Sequence, residues 1–326
     1  MNTDKTENHM YTISSSPHAH SGASVQRIML DVIIALVPAL AASFFFFGLN
    51  ALRLVMVCVL TCVFTEAVCR KTMKRNIAVN DLSAVVTGIL LAFNLPPAMP
   101  SWMAVVGSFV AIFIAKQVFG GLGYNPFNPA LVARVVLLVS RAPQMTAWSE
   151  WTIPGTDAVT SATPLGLCSN GATFDMNSHV MFDFFIGRMN GCIGEVSVLA
   201  ILIGGLYLLY RRCISWHTPV FFIGTVALFS GVLWLMEPAA NMNPMFHVLT
   251  GGLMLGAVFM ATDMVTTPVT KKGMMIFGIG CGVITMVIRK WSPLPEGVSF
   301  AILLMNSVTP LINRATKPRV FGTGKE

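Results

Sequence analysis

Charge is what this chain has least of. Only 11% of its 326 residues are charged against 55% hydrophobic, and mean hydropathy is +0.71. A water-soluble domain cannot be covered by so few ionic side chains, so the composition excludes that class and points to several membrane-crossing segments. Cysteine is also sparse in pattern: positions 58, 62, 69, 168, 192, 213 and 281 contain no CxxC pair and lie mostly in apolar runs. That spacing argues against an iron–sulfur cradle and against a disulfide framework. Cys168 and Cys192 alone flank a polar stretch, and whether they meet there is open. No GxGxxG fingerprint is present, so the chain does not itself bind NADH in a dinucleotide fold. The net charge of +7 sits in short loops between apolar runs, the cytoplasmic-loop bias of membrane proteins, and implies no nucleic-acid partner.

What is present is a succession of apolar spans. Residues 1–24 are polar and Ser-rich, read as a cytoplasmic N-terminal segment in which His18 and His20 are solvated; nothing there resembles a cleavable leader. Ten spans are expected at about 28–48, 52–69, 82–93, 102–118, 130–140, 192–210, 219–236, 247–262, 274–288 and 298–311. The longer ones suffice to cross roughly 30 Å of hydrocarbon at about 1.5 Å per residue. Pro38 predicts a kink in the first. With the N-terminus inside, the loops at Arg70, Arg211, Lys271 and Arg314 all fall on the cytoplasmic side, and a polar segment at 141–191 falls on the periplasmic side. Arg289 and Lys290 then form the one basic pair on the outer side, either two snorkelling cations or partners of an anion. Asp31, Glu66 and Glu195 lie near span ends, as ion ligands or as snorkelling acids.

Broken spans mark where a ligand site belongs. NLPP at Asn94–Pro97 and GGLGYNPFNP at Gly120–Pro129 interrupt the first set of spans. Freed amides and carbonyls at membrane depth must line protein or a cavity. TGILLAFNLPP from Thr87, an apolar span and GLGYNPFNPALVARV to Val135 resemble, in order and spacing, LGAVFMATDMVTTP from Leu255, an apolar span and SPLPEGVSFAILLMNSV to Val308. Five spans separate the copies, so the halves, 25–140 and 192–313, have opposite topology, with 314–326 as a cytoplasmic tail. The all-α fold expected is thus a pair of inverted repeats of five spans. One outer half-site would be lined by Asn94–Pro97 and Ser292–Glu296, and one inner half-site by Tyr124–Pro129 and Asp263–Pro268.

The 141–191 segment carries DAVTSAT, Asp157 to Thr163. Thr163 offers a hydroxyl, Ser161 and Ala162 are small enough to let a bulky enzyme approach the backbone, and Asp157 lies on the same segment. Taken alone, such a string is also what a Thr-rich turn looks like.

DAVTSAT resembles the acceptor motif of flavin transferase, in which Asp, two residues, Ser or Thr, a small residue and Ala precede the Thr that takes FMN through its phosphate. Thr163 matches that acceptor; Ser161 stands where many relatives have Gly. With RKTMKRNIAVNDLSAVVTGILLAFNLPP, GGLGYNPFNPALVARV and MATDMVTTP, the chain is similar over almost its whole length to the D subunits of Rnf ion-translocating electron-transport complexes. The related B subunits of sodium-translocating NADH:quinone oxidoreductases share these motifs but are typically longer at the N-terminus. The resemblance implies a urea-channel-like membrane flavoprotein of the bacterial inner membrane, one subunit of a complex that moves electrons between ferredoxin and NAD and couples this to sodium or proton movement. It further implies covalent FMN on Thr163, maturation by a flavin transferase, and riboflavin as a second, non-covalent flavin. Arg289 and Lys290 become expected partners of the phosphoester. Asn125, Asn128 and Asp263 become expected contacts of riboflavin, since amides can bond the uracil-like edge of an isoalloxazine. Two other classes stay open: a flavin-free solute transporter of urea-channel type, and a purely structural anchor for catalytic subunits.

Overall fold

The computed structural model describes residues 24–74, 79–148, 163–169, 178–238, 241–292 and 296–318, and among these the chain is helical with no strand. Helix α1 (Val25–Phe47) opens where Ser24 accepts a hydrogen bond from the Arg27 amide, and it runs through Pro38. A left-handed Gly48 hands it directly to α2 (Leu49–Thr72). Next come α3 (Ser83–Phe93) and α4 (Ser101–Phe109), the latter continuing as a π-helical stretch over Val110–Gln117. The first half closes with α5 (Pro129–Ser140), a helix with Pro at its first position and Asn128 as its cap. Short helices α6 (Ala142–Met145), α7 (Pro164–Ser169) and α8 (Ser178–Ile186) lie in the connecting segment. The second half is α9 (Val198–Tyr210), α10 (His217–Met236), α11 (Pro244–Leu249), α12 (Leu253–Leu255, running on as π-helix over Gly256–Met260), α13 (Lys271–Trp291) and α14 (Val298–Ala315). Five helices, α1, α2, α10, α13 and α14, are long and apolar enough to cross a membrane. Shorter apolar helices fill the space between them, as in a multi-pass membrane protein.

The two halves repeat one packing plan. In the first, α2 packs on α3 and α4; in the second, α10 packs on α11 and α13. Like elements meet across the middle: α1 lies on α9, and α5 lies on α14. A pseudo-two-fold relation between inverted halves produces this pairing.

Two spans differ from the sequence expectation for a local reason. The span expected at 247–262 is two pieces, α11 and α12, because Gly251 (φ +71°) and Gly252 (φ +66°) turn the backbone left-handed between them. The span expected at 192–210 becomes helical only at Val198, where Ser197 caps it through the Ala200 amide. Residues before the cap instead pair with the end of α3: Ile193 N–H donates to Leu95 O (3.1 Å) and Gly194 N–H to Phe93 O (3.0 Å). These bonds satisfy carbonyls at the NLPP break. Gly194 is required there, since a Cβ would fall 2.2 Å from the Phe93 side chain.

Candidate functional site

Among the described residues the two crossovers lie close together, Met260 accepting from Asn94 Nδ2 at its sulfur (3.6 Å) and from Asn128 Nδ2 at its carbonyl (3.4 Å), and one chamber lies toward either end of the bundle. Between Lys271 and Arg289 helix α13 rises roughly 27 Å, at about 1.5 Å per residue, which sets the scale separating the two ends.

The chamber at the end expected to be inner measures about 840 Å³ with the open solvent of its mouth included, and its wall holds Ser83, Lys116, Asn125, Asn128 and Asp263 among apolar side chains such as Leu90 and Phe259. Asn128 is committed twice. Its Oδ1 accepts from the amides of Ala130 (3.1 Å) and Leu131 (3.4 Å), and its Nδ2 donates to Met260 O (3.4 Å) in the opposite repeat. Asn128 therefore builds the wall, and the amide expected to face a ligand is used in doing so. Asn125 is the reverse case. Its Nδ2 donates to Phe127 O (3.1 Å), while its buried Oδ1 has no partner among the described residues. Asp263 accepts from Thr266 Oγ1 (3.1 Å) and the Val265 amide (3.5 Å), a tight turn beyond the last helical residues of α12. Burial pushes its carboxyl above the usual carboxylate range, and those hydrogen bonds, with one from the Met264 amide, draw it back.

The opposite end, outer in the orientation expected from the sequence, holds two features. A chamber of about 720 Å³, again counted to its mouth, is lined by Leu165, Cys168, Asn241, His247, Arg289 and Lys290. Lys290 Nζ donates to Asn241 Oδ1 (2.6 Å). Arg289 is buried and caps α11: its guanidinium donates to His247 O (2.6 Å), Thr250 O (3.0 Å) and Gly251 O (3.2 Å), which leaves Nε without a partner among the described residues. A cation at the carbonyl end of a half-helix is favourable both as a donor and against the helix dipole. Beside it, Arg134 of α5 donates to Asn94 Oδ1 (2.6 Å) and pairs with Glu296, so the NLPP break and the segment before α14 are joined through one guanidinium. Cys192, Glu195 and Glu296 bring ligand-type atoms within 4.8 Å of one another at this crossover.

Thr163 is buried and stands at the start of α7, where its Oγ accepts from the Gly166 amide (3.1 Å). Leu165 and Cys168 of α7 belong to the wall of the outer chamber, and Leu165 and Arg289 both press on Gly251. The residue expected to carry the cofactor thus opens a helix whose Leu165 and Cys168 share a chamber wall with the two cations expected to face it, though Thr163 itself is not in that wall. Asp157, Ser161 and Ala162 lie outside the described residues.

Other nominated residues have specific partners. Asp31 accepts from Tyr207 Oη (3.0 Å) and Arg211 (3.0 Å), and Glu66 is bound by Lys116 (3.0 Å) and Arg70 (3.0 Å), so both are neutralised. Glu195 Oε1 accepts from the Cys192 amide (2.9 Å), and its Oε2 has no partner among the described residues. Cys168 and Cys192 are both free thiols, the second donating to Asn94 O (3.4 Å). The sequence reading misses Lys116, Arg134 and the Gly251–Gly252 break. A signal exists for the first: a lone base and a lone acid, Lys116 and Glu66, sit in separate apolar runs and require each other.

An all-helical, multi-pass membrane protein with two inverted halves that cross at broken helices is the class that this architecture defines. The sequence profile of the NQR2, RnfD, RnfE family matches residues 12–322, and the chain belongs to that family. It is 53% identical over 316 residues, 96% of each chain, to the D subunit of the Na(+)-translocating ferredoxin:NAD(+) oxidoreductase complex of Acetobacterium woodii. It is 45% identical over 320 residues, 96% of this chain and 97% of the relative, to the D subunit of the proton-translocating ferredoxin:NAD(+) oxidoreductase complex of Clostridium ljungdahlii. The D subunit of the ion-translocating oxidoreductase complex of Salmonella newport is 38% identical, with 97% of this chain and 99% of the relative covered.

Proposed function

We propose that this chain is the membrane flavoprotein subunit of an Rnf-type ferredoxin:NAD oxidoreductase, relaying electrons while the complex moves sodium or protons. In this reading FMN is esterified through its phosphate to Thr163 by a flavin transferase, riboflavin occupies the inner chamber, and the other Rnf subunits supply the ferredoxin and NAD chemistry. The protein lies in the bacterial inner membrane with both termini cytoplasmic and the Thr163 segment periplasmic. Flavins supply the ability to accept and release electrons singly or in pairs; the chain's part is to hold them, exclude water and set their surroundings.

The observation that carries this reading is the seating of α7, opened by Thr163, in the wall of a chamber that also holds Arg289 and Lys290. Lys290 Nζ and the spare Arg289 Nε are donors suited to a phosphoester, and charge-assisted bonds of that kind are the stronger ones. An ester oxygen at Thr163 still accepts a hydrogen bond, so the contact to Gly166 N–H is compatible with the modification. At the inner end, a buried Asn125 Oδ1 lacking a donor suits the N–H of a uracil-like edge.

The test is the intact mass of the chain coexpressed with and without a flavin transferase. A transferase-dependent increment of one FMN minus water on the Thr163 peptide, lost in Thr163→Ala, is the expected result. No increment, where a known acceptor is labelled under the same conditions, would return the chain to the transporter class.

A further inference from the structure

Lys116 is 2% exposed, in the π-helical end of α4, and its Nζ donates to both carboxylate oxygens of Glu66 (3.0 Å each) and to Ser83 Oγ (2.7 Å). Glu66, fully buried, also accepts from Gln117 Nε2 (2.9 Å) and Arg70 (3.0 Å). Arg70 reaches on to Asp81 (3.2 Å), whose other oxygen accepts from Ser83. The wider winding of the π stretch lets consecutive residues, Lys116 and Gln117, grip one carboxylate. π-Helical turns inside α-helices gather at functional sites.

The cluster is neutral but oriented. Two acids, Glu66 and Asp81, balance two bases, Lys116 and Arg70, yet only Lys116 and Ser83 belong to the chamber wall. The positive end therefore faces the inner chamber and the negative end faces away. The three Lys116 N–H bonds and the Ser83 hydroxyl proton are taken by Glu66, Ser83 and Asp81, so this part of the wall offers positive charge, while Asp263 and the unpartnered Asn125 Oδ1 stand elsewhere in the same wall as acceptors. A preorganised charge in a place shielded from water acts far more strongly than it would in solvent.

We propose that Lys116, held by Glu66, sets the reduction potential of a flavin bound in the inner chamber through its charge. The N–H side of the flavin's uracil-like edge turns toward Asn125 and Asp263, and Lys116 acts on the ring by its charge alone. This inference rests on the flavin reading of the chamber given above. Each electron accepted by a flavin adds one negative charge unless a proton follows it. An ammonium in the wall lowers the energy of that added charge, and Glu66 attenuates the effect.

The experiment is a spectroelectrochemical titration of the purified complex, with the covalent flavin as internal reference. Lys116→Gln is expected to lower the potential of the acid-extractable flavin by about tenfold in its reduction equilibrium, ~59 mV for a one-electron couple. Lys116→Arg is expected to keep it, and Glu66→Gln to raise it. Opposite signs for the Lys116 and Glu66 variants are the signature, because simple loosening of the α2–α4 contact would move both the same way. Shifts of the same sign, or an unmoved potential with flavin retained, overturn the inference. If Lys116→Gln does not assemble, Glu66→Gln and Asp81→Asn still test it, both upward. A wild-type complex without acid-extractable flavin would instead sink the reading of the chamber on which the proposal stands.

Discussion

The inner and outer ends of this protein are built by the same inverted plan and furnished with opposite chemistry. At the inner end the polar groups are amides and an oriented ion pair set among apolar side chains, and the crossover is stitched by Asn128 to Met260 O. At the outer end the crossover is stitched by a guanidinium, Arg134, and the neighbouring chamber presents Arg289, Lys290 and His247. Pseudo-symmetry accounts for the two crossovers; the chamber with Arg289 and Lys290 is walled by α7 and the second half alone. The symmetry does not account for the chemistry of the two chambers; in the reading proposed above one takes a neutral, hydrogen-bonding ring and the other a tethered anion.

The comparison can be broken most sharply by removing one occupant at a time. Thr163→Ala is expected to abolish covalent flavin entirely while leaving acid-extractable flavin at its wild-type level, read by in-gel fluorescence and by extraction. Equal loss of both would mean that the two ends are not independent. Arg134→Leu takes the buried guanidinium from Asn94 and Glu296, and breaking such a pair costs about 3–5 kcal/mol. A large drop in thermal stability in detergent is expected, and a change below about 1 kcal/mol would show that the outer crossover is held by other contacts.

Smaller effects sharpen the contrast. Gly252→Ala places a Cβ 2.4 Å from Glu195 Oε2 at a left-handed residue. Backbone conformation alone costs roughly 1–2 kcal/mol there, and displacement of Glu195 adds to it. Asn125→Ala is expected to weaken retention of the acid-extractable flavin by about tenfold, the equivalent of ~1.4 kcal/mol and of one hydrogen bond. Covalent flavin should not change, and an unaltered equilibrium content would remove Asn125 from the inner site. Ser43→Ala is the mildest: Ser43 Oγ ties α1 to Ile193 O (2.7 Å) beside the outer crossover, so about 1 kcal/mol of stability is at stake and neither flavin should be lost.

Much of the scaffold can be read in the chain because its physics is local. Apolar runs of sufficient length, basic loops on one side and turn residues at NLPP and NPFNP announce spans and breaks without reference to any partner. Hydropathy makes one span of 247–262 because it averages over Gly251 and Gly252, two residues whose φ angles break a helix that their neighbours would continue. It makes the span at 192–210 too long for a related reason: Ile193 and Gly194 read as part of the run, but their amides are claimed by carbonyls at the end of α3, about 100 residues away in sequence.

The site shows the same division. Asn125, Asn128, Asp263, Arg289 and Lys290 stand out by residue type and by position near broken helices, and each lies in the wall of one of the two chambers. Their duties cannot be read in the same way. Asn128 and Arg289 spend their hydrogen bonds on helix ends, and only three-dimensional packing reveals which polar atoms are left over. What the sequence determined by itself was the class of protein, the order of its apolar runs, the breaks at NLPP and NPFNP and the acceptor-like Thr163, since each follows from composition, period or a contiguous motif. Tertiary structure alone decided that Lys116 finds Glu66, that Arg134 joins Asn94 to Glu296 and that Asn125 keeps a free carbonyl. A buried charge or amide takes its role from partners distant in sequence, and only the fold brings those partners within hydrogen-bonding reach.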